Sequence, residues 1–173
     1  MRLNIAQPHL VKFLLISAIS FFIGTVHGML QVLPPVRAWL DSIGSPYGGP
    51  GHMIDPLAHA HINLVGGVVI LAMGTSYYLL PIFSGKSIYS LKLVNQSLWW
   101  TAIGQFYFYI TQVVFGIMEG NALLNNPAEM PQIHQYYGTI VAGSGIVMVV
   151  GFSIYLANVI LSLTSNTPPT PAS

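Results

Sequence analysis

No cysteine occurs anywhere in the chain. That excludes disulfides, iron–sulfur clusters, c-type haem attachment and thiolate-bound zinc. Charge is nearly as scarce. Five Lys or Arg and four Asp or Glu side chains serve 173 residues, 5% of the sequence, where a soluble domain carries about 25%. So few charges cannot clothe a water-facing surface. With 53% hydrophobic residues, the chain is expected to be a multi-pass integral membrane protein in contact with the lipid bilayer. No basic cluster is present to engage nucleic acid, and a net charge of +1 argues for no such partner. The N-terminal region lacks the small-residue cleavage pattern of a removable signal.

Hydropathy then divides the chain into four apolar runs, at about 10–33, 57–81, 93–118 and 134–163. Each reaches the ~20 residues that a bilayer-spanning helix needs. Pro34-Pro35 stops the first, because proline removes a donor and restricts its predecessor. Segment 36–56 reads as a loop, in which Val36 to Leu40 suits an interfacial turn or short helix. Its part 44–51 holds four Gly and two Pro in eight residues, a composition that argues against regular structure. Asp55 and Pro56 suit an N-cap and the first position of the second helix. The third run is rich in aromatics, as belts and packing faces are, and residues 119–132 read as a polar loop. The tail, 164–173, with three Pro among Ser and Thr, is expected to be disordered. The expected fold is all-α: one antiparallel four-helix transmembrane bundle over 1–163. Arg2, Lys12, Lys86 and Lys92 lie at one end and only Arg37 at the other, so both termini are expected to be cytoplasmic.

Six histidines stand out against this apolar background. An ionisable side chain at membrane depth is a functional-site hypothesis by default, and imidazole commonly ligates haem iron, zinc and copper. Counting 1.5 Å per residue from the flanking prolines places His27, His61 and His134 roughly 10, 7 and 4 Å below the outer interface. His59 and His61 are about 200° apart around a helix, so only one can face a given partner. His9 and His52 suit the headgroup layers. A bis-imidazole haem needs two histidines at similar depth beside small residues. His27 and His61 match best, with Gly24, Gly28, Gly66 and Gly67 beside them, and His134 is the alternative second ligand. All three could instead hold zinc or copper, although their depths spread more than a tetrahedral site favours. Asn63 could orient a ligand or bond across helices. No catalytic residue is assigned. Four spans without broken-helix pairs or an acidic membrane residue argue against a transporter.

The second run carries a family signature. His61-Ile62-Asn63-Leu64, followed by Met73-Gly74-Thr75-Ser76-Tyr77-Tyr78-Leu79-Leu80-Pro81, resembles the second helix of the haem–copper oxidase catalytic subunit and of the nitric oxide reductase large subunit. The likeness continues through Gly85 to Ser90, Leu93 and Trp99-Trp100, and weakly to Gly138 and Tyr155 to Asn158. It covers the first third of such a subunit, its first four helices. The resemblance implies that His61 is an axial ligand of a low-spin haem b. The family's opposite ligand and its binuclear-site histidines lie on later helices absent here, so oxygen or nitric oxide reduction is not expected of this chain alone.

These observations lead to a membrane cytochrome b-type electron-transfer subunit holding one haem b near the outer face, with His61 and His27 as axial ligands and His134 as the alternative to His27. Arg37 is expected to pair with haem propionates, since guanidinium suits carboxylates. The partners would be other subunits of a respiratory or oxidoreductase complex, and a quinone or an external cytochrome. The membrane would be the inner membrane of a bacterium or archaeon. The competing reading is a haem-free structural or anchoring subunit derived from the oxidase fold.

Overall fold

The computed structural model describes residues 8–165. Arg2 and most of the tail, 166–173, lie outside them. Five helices account for nearly all of the described residues, which include no strand. They are α1 (Pro8–Gln31), α2 (Pro34–Ser42), α3 (Gly49–Ser84), α4 (Leu91–Asn125) and α5 (Pro127–Thr164). All but α2 are long and apolar enough to cross a membrane. The four-span all-α fold expected from the hydropathy is therefore present.

Several boundaries differ from the sequence expectation, for local reasons. Gly44 and Gly49 take positive φ values of 98° and 59°, which glycine adopts without a Cβ penalty. They turn the chain tightly enough for α3 to begin inside the glycine-rich segment, at Gly49 rather than near residue 57. Asp55 is not an N-cap. It sits within α3 at φ −129° and ψ 108°, pushed into the extended region by the proline that follows. The helix kinks there, and wide π-type turns occupy Met53–Ala58 and Ile62–Val69. α4 also continues past Met118 to Asn125, which brings Glu119 into the helix.

The helices pack in chain order and antiparallel: α1 on α3, α3 on α4, and α4 along most of α5. Glycines set the close approaches. Gly24 and Gly28 of α1 receive the side chains of Asn63 and His59 from α3, and Gly66 and Gly67 of α3 receive Ser20 and Phe21 from α1. The main apolar core joins Phe13, Ile70, Tyr77 and Leu98 in the half of the molecule away from α2. Leu40, Ile43 and Ile54 form a second cluster that seats α2 on the other end. On α5, Gly138 and Gly145 face open space, whereas Gly151 lies against the backbone of Thr101. A Cβ at Gly151 would stand 2.5 Å from the Thr101 amide nitrogen, and backbone cannot step aside as a side chain can. Gly151→Val is therefore expected to lower stability by about 1–3 kcal/mol, seen as a reduced thermal midpoint in detergent; Gly145→Val, which meets nothing, should not.

Candidate functional site

Phe108 and Tyr109 of α4 mark the level at which the histidines gather. His61 packs on Phe108 with ring centroids 4.5 Å apart, and His27 meets Tyr109 edge-on at 5.6 Å. His27, His59 and His61 therefore share one layer, as the depth count anticipated for His27 and His61. They do not share one face. His59 turns toward α1, where its ring lies 5.7 Å from that of His27 and over Gly28. His61, two residues on, turns toward α4. The ring beside His27 is His59, and His61 lies round the helix from it.

The hydrogen bonds distinguish these imidazoles. His61 Nδ1 is 2.9 Å from the Leu57 carbonyl, so Nδ1 carries the proton and donates, leaving the Nε2 lone pair free on a half-buried ring. Backbone-anchored Nδ1 with open Nε2 is how ligating histidines are oriented. His27 is 9% exposed and occupied at both nitrogens. The Gln31 amide nitrogen lies 3.1 Å from Nε2, and the Tyr109 hydroxyl 3.1 Å from Nδ1. Asn63 donates to the carbonyl of His59, four residues back in its own helix, at 2.9 Å, and packs on Gly24 rather than on an imidazole.

His134 stands apart. Its Nδ1 lies 3.0 and 3.1 Å from the two carboxylate oxygens of Glu119, and its ring stacks on Tyr137. Glu119 is eleven residues beyond Phe108 on α4, which separates His134 from the His61 layer by about 16 Å. Among the described residues no three His, Asp or Glu side chains come together to hold a metal ion, so the three-histidine zinc or copper arrangement does not form.

Arg37 bridges α2 to the start of α3. Its Nη1 is 2.6 Å from Asp55, its Nε 2.9 Å from Asp41 and its Nη2 2.9 Å from Ser45 Oγ. The bond to Asp41, and next that to Asp55, raises the guanidinium pKa further above its ordinary value. The donors foreseen for haem propionates already serve this chain's own carboxylates. Arg37→Ala is expected to cost about 1 kcal/mol, since the pairs are partly exposed, and to loosen α2, measured as faster proteolysis within residues 34–55.

Sequence reasoning passed over Tyr109, Gln31 and Glu119. Gln31 had a signal, since it stands four residues after His27 and so shares its helix face. Glu119 had one too. Thr101, Gln105, Gln112 and Glu119 recur at intervals of four and seven, and all are 4% exposed or less, a polar stripe buried along one side of α4.

A family model described as Cytochrome C and Quinol oxidase polypeptide I matches residues 2–146. The chain belongs to this family. Oxidase polypeptide I relatives include a protein described as Cbb3-type cytochrome c oxidase subunit CcoN1, from Stutzerimonas stutzeri, 25% identical over 113 residues. That match covers 64% of this chain and 22% of the relative. Cytochrome c oxidase subunit 1 of Rhodobacter capsulatus is 33% identical over 107 residues, covering 53% of this chain and 20% of the relative. The chain thus spans about a fifth of the length of these oxidase relatives. Four apolar helices together with the oxidase polypeptide I match make it an integral membrane protein.

Proposed function

We propose that the chain is a membrane cytochrome b-type electron-transfer subunit of a larger respiratory or oxidoreductase complex, in which His61 supplies one axial ligand to a single low-spin haem b. The observation that carries this reading is the state of His61, with Nδ1 tied to the Leu57 carbonyl and Nε2 open. Membership of a family that binds haem supports it. The donor set fits: a neutral imidazole with a backbone-fixed tautomer is a strong-field haem ligand. When bound, the haem would supply one-electron transfer. The chain's own part is to orient His61 through Leu57 and to shield one side of its ring with Phe108.

Both nitrogens of His27 are engaged and His134 lies at another depth, so we assign the opposite axial position to a partner subunit rather than to either. We take the α2 end as the outer face, both termini as cytoplasmic, and the membrane as the inner membrane of a bacterium or archaeon. The electron partner would be a quinol or an external cytochrome. The test is a reduced-minus-oxidised visible spectrum, with pyridine haemochromogen analysis, on the protein isolated with its partners. A sharp b-type α-band that disappears in His61→Ala is the expected result.

The haem-free anchoring subunit is favoured by one observation. His27 and Arg37 are satisfied within the chain, by Gln31, Tyr109, Asp41 and Asp55. A preparation that keeps its partners and contains no haem would leave that reading standing.

A further inference from the structure

The charged side chains are sorted by end. All four Asp and Glu residues, Asp41, Asp55, Glu119 and Glu129, lie at the end that carries α2. Lys12, Lys86 and Lys92 lie at the opposite end, where no carboxylate side chain can neutralise them. Lys86 is used within the chain, donating to the Leu163 carbonyl in the last turn of α5. The other two meet elsewhere, where α1 and α4 begin. Lys12 Nζ donates to Asn95 Oδ1 at 3.0 Å. Lys92 precedes Asn95 by three residues and so stands beside it on α4, exposed, with no partner for its ammonium among the described residues. Asn95 is exposed too, and with Oδ1 taken by Lys12 its Nδ2 is left to donate. Every free group here is a donor, and two like charges repel unless an anion joins them.

Deeper in the membrane the same edge is apolar. α1 and α4 both pack on α3, and they are tied to each other at two levels, by Lys12 to Asn95 and by Tyr109 to His27. Between these ties Leu15 and Ile19 of α1 are exposed, and so are Trp99 and Ile103 of α4. Leu15 and Ile19 follow Lys12 by three and seven residues, and Trp99 and Ile103 follow Lys92 by seven and eleven, so each pair continues the face of its lysine. Trp99 stands about 10 Å deeper than Lys92, near the level at which indole rings mark the boundary between headgroups and acyl chains.

We propose that this edge of α1 and α4 binds an anionic phospholipid, its phosphate on Lys12, Lys92 and Asn95 and an acyl chain along Leu15, Ile19 and Trp99. Charge and shape select the occupant together. A zwitterionic lipid brings its own cation to the two lysines and forfeits the net attraction. An acidic protein segment answers the lysines but not the exposed apolar strip that runs on from them. The end concerned is the one assigned to the cytoplasm, whose leaflet carries the anionic lipids. The site needs neither haem nor His61.

Trp99 supplies the probe, because bromine atoms on a neighbouring acyl chain quench indole fluorescence. The purified protein with its partners would be placed in nanodiscs of phosphatidylcholine containing rising fractions of chain-brominated phosphatidylglycerol or, separately, chain-brominated phosphatidylcholine. The signal is the part of the quenching that disappears in Trp99→Phe. Phosphatidylglycerol is expected to be preferred about 25-fold, and Lys12→Gln and Lys92→Gln should each lower that preference about fivefold, as for about 1 kcal/mol per lysine. Lys92→Arg should keep it. These positions are exposed, so the variants test binding rather than folding. Lys86→Gln removes the same charge from the same end and should leave the preference intact; an equal loss there would overturn the site in favour of a general attraction to a basic end. Displacement by millimolar inorganic phosphate would overturn the lipid as ligand. Equal quenching by the two lipids, or none by either because a partner subunit covers the edge, would overturn the proposal as well.

Discussion

His61→Ala is expected to reduce haem content more than tenfold, whereas His27→Ala is expected to keep its α-band. The contrast follows from the nitrogens. Removing a residue that merely orients a metal ligand typically costs 10–100-fold in affinity, and removing the ligand itself should cost at least that. For His61 the open atom is Nε2, and its orientation is held by a backbone carbonyl that no substitution at position 61 disturbs. For His27 no nitrogen is open. Substitution there breaks bonds to Gln31 and Tyr109, which at about 1 kcal/mol each lowers stability and leaves the haem in place. The pyridine haemochromogen assay separates the two effects, because it counts haem per polypeptide whatever the melting temperature. Loss of haem from both variants would sink the assignment of the second ligand to a partner, and would mean that Gln31 swings away when haem binds.

Depth along the membrane was legible in the sequence; direction around the helix was not. Counting from Pro34 and Pro56 put His27 and His61 in one layer, and their packing on adjacent residues of α4 agrees. Depth depends on rise per residue, about 1.5 Å in an α-helix, and over the few residues counted from Pro34 and Pro56 a different rise shifts it by only a few ångström. Direction depends on accumulated turn, and the wide turns at Met53–Ala58 and Ile62–Val69 flank His61. The small-residue signal succeeded where two helices were both in hand: Gly24 and Gly28 meet Asn63 and His59. On α5, by contrast, Gly138 and Gly145 meet nothing among the described residues. The family signature was readable from His61 to Pro81 because it joins a histidine to the helical stretch 73–81 at fixed spacing. The Arg37 contacts were not legible, because a guanidinium beyond a span suits any carboxylate, and only the fold brings Asp41 and Asp55 to it. Glu119 was lost to a boundary: a charge after an apolar run reads as the start of a loop unless its partner is known.

That partner gives the second large effect. Glu119 is 1% exposed while His134 is 55% exposed, so the pair is lopsided: one member is deep in protein and the other reaches out. Removing the donor to a buried acceptor costs about 1–3 kcal/mol, because the acceptor then has neither water nor a partner. His134→Leu should therefore destabilise the protein by about 1–3 kcal/mol, the cost of a buried acceptor left without its donor. Glu119→Gln should cost less, about 1 kcal/mol, because its amide oxygen still accepts from His134 Nδ1. The double variant Glu119→Leu/His134→Leu removes both the charge and its partner, and should recover much of the His134→Leu loss. A coupling of about 1–3 kcal/mol between the two sites is expected, measured by reversible unfolding in mixed detergent micelles. Strict additivity would show that the carboxylate draws its stabilisation from elsewhere, with the pair formed by Gln112, two turns back on α4, and Tyr137 as the next group to vary.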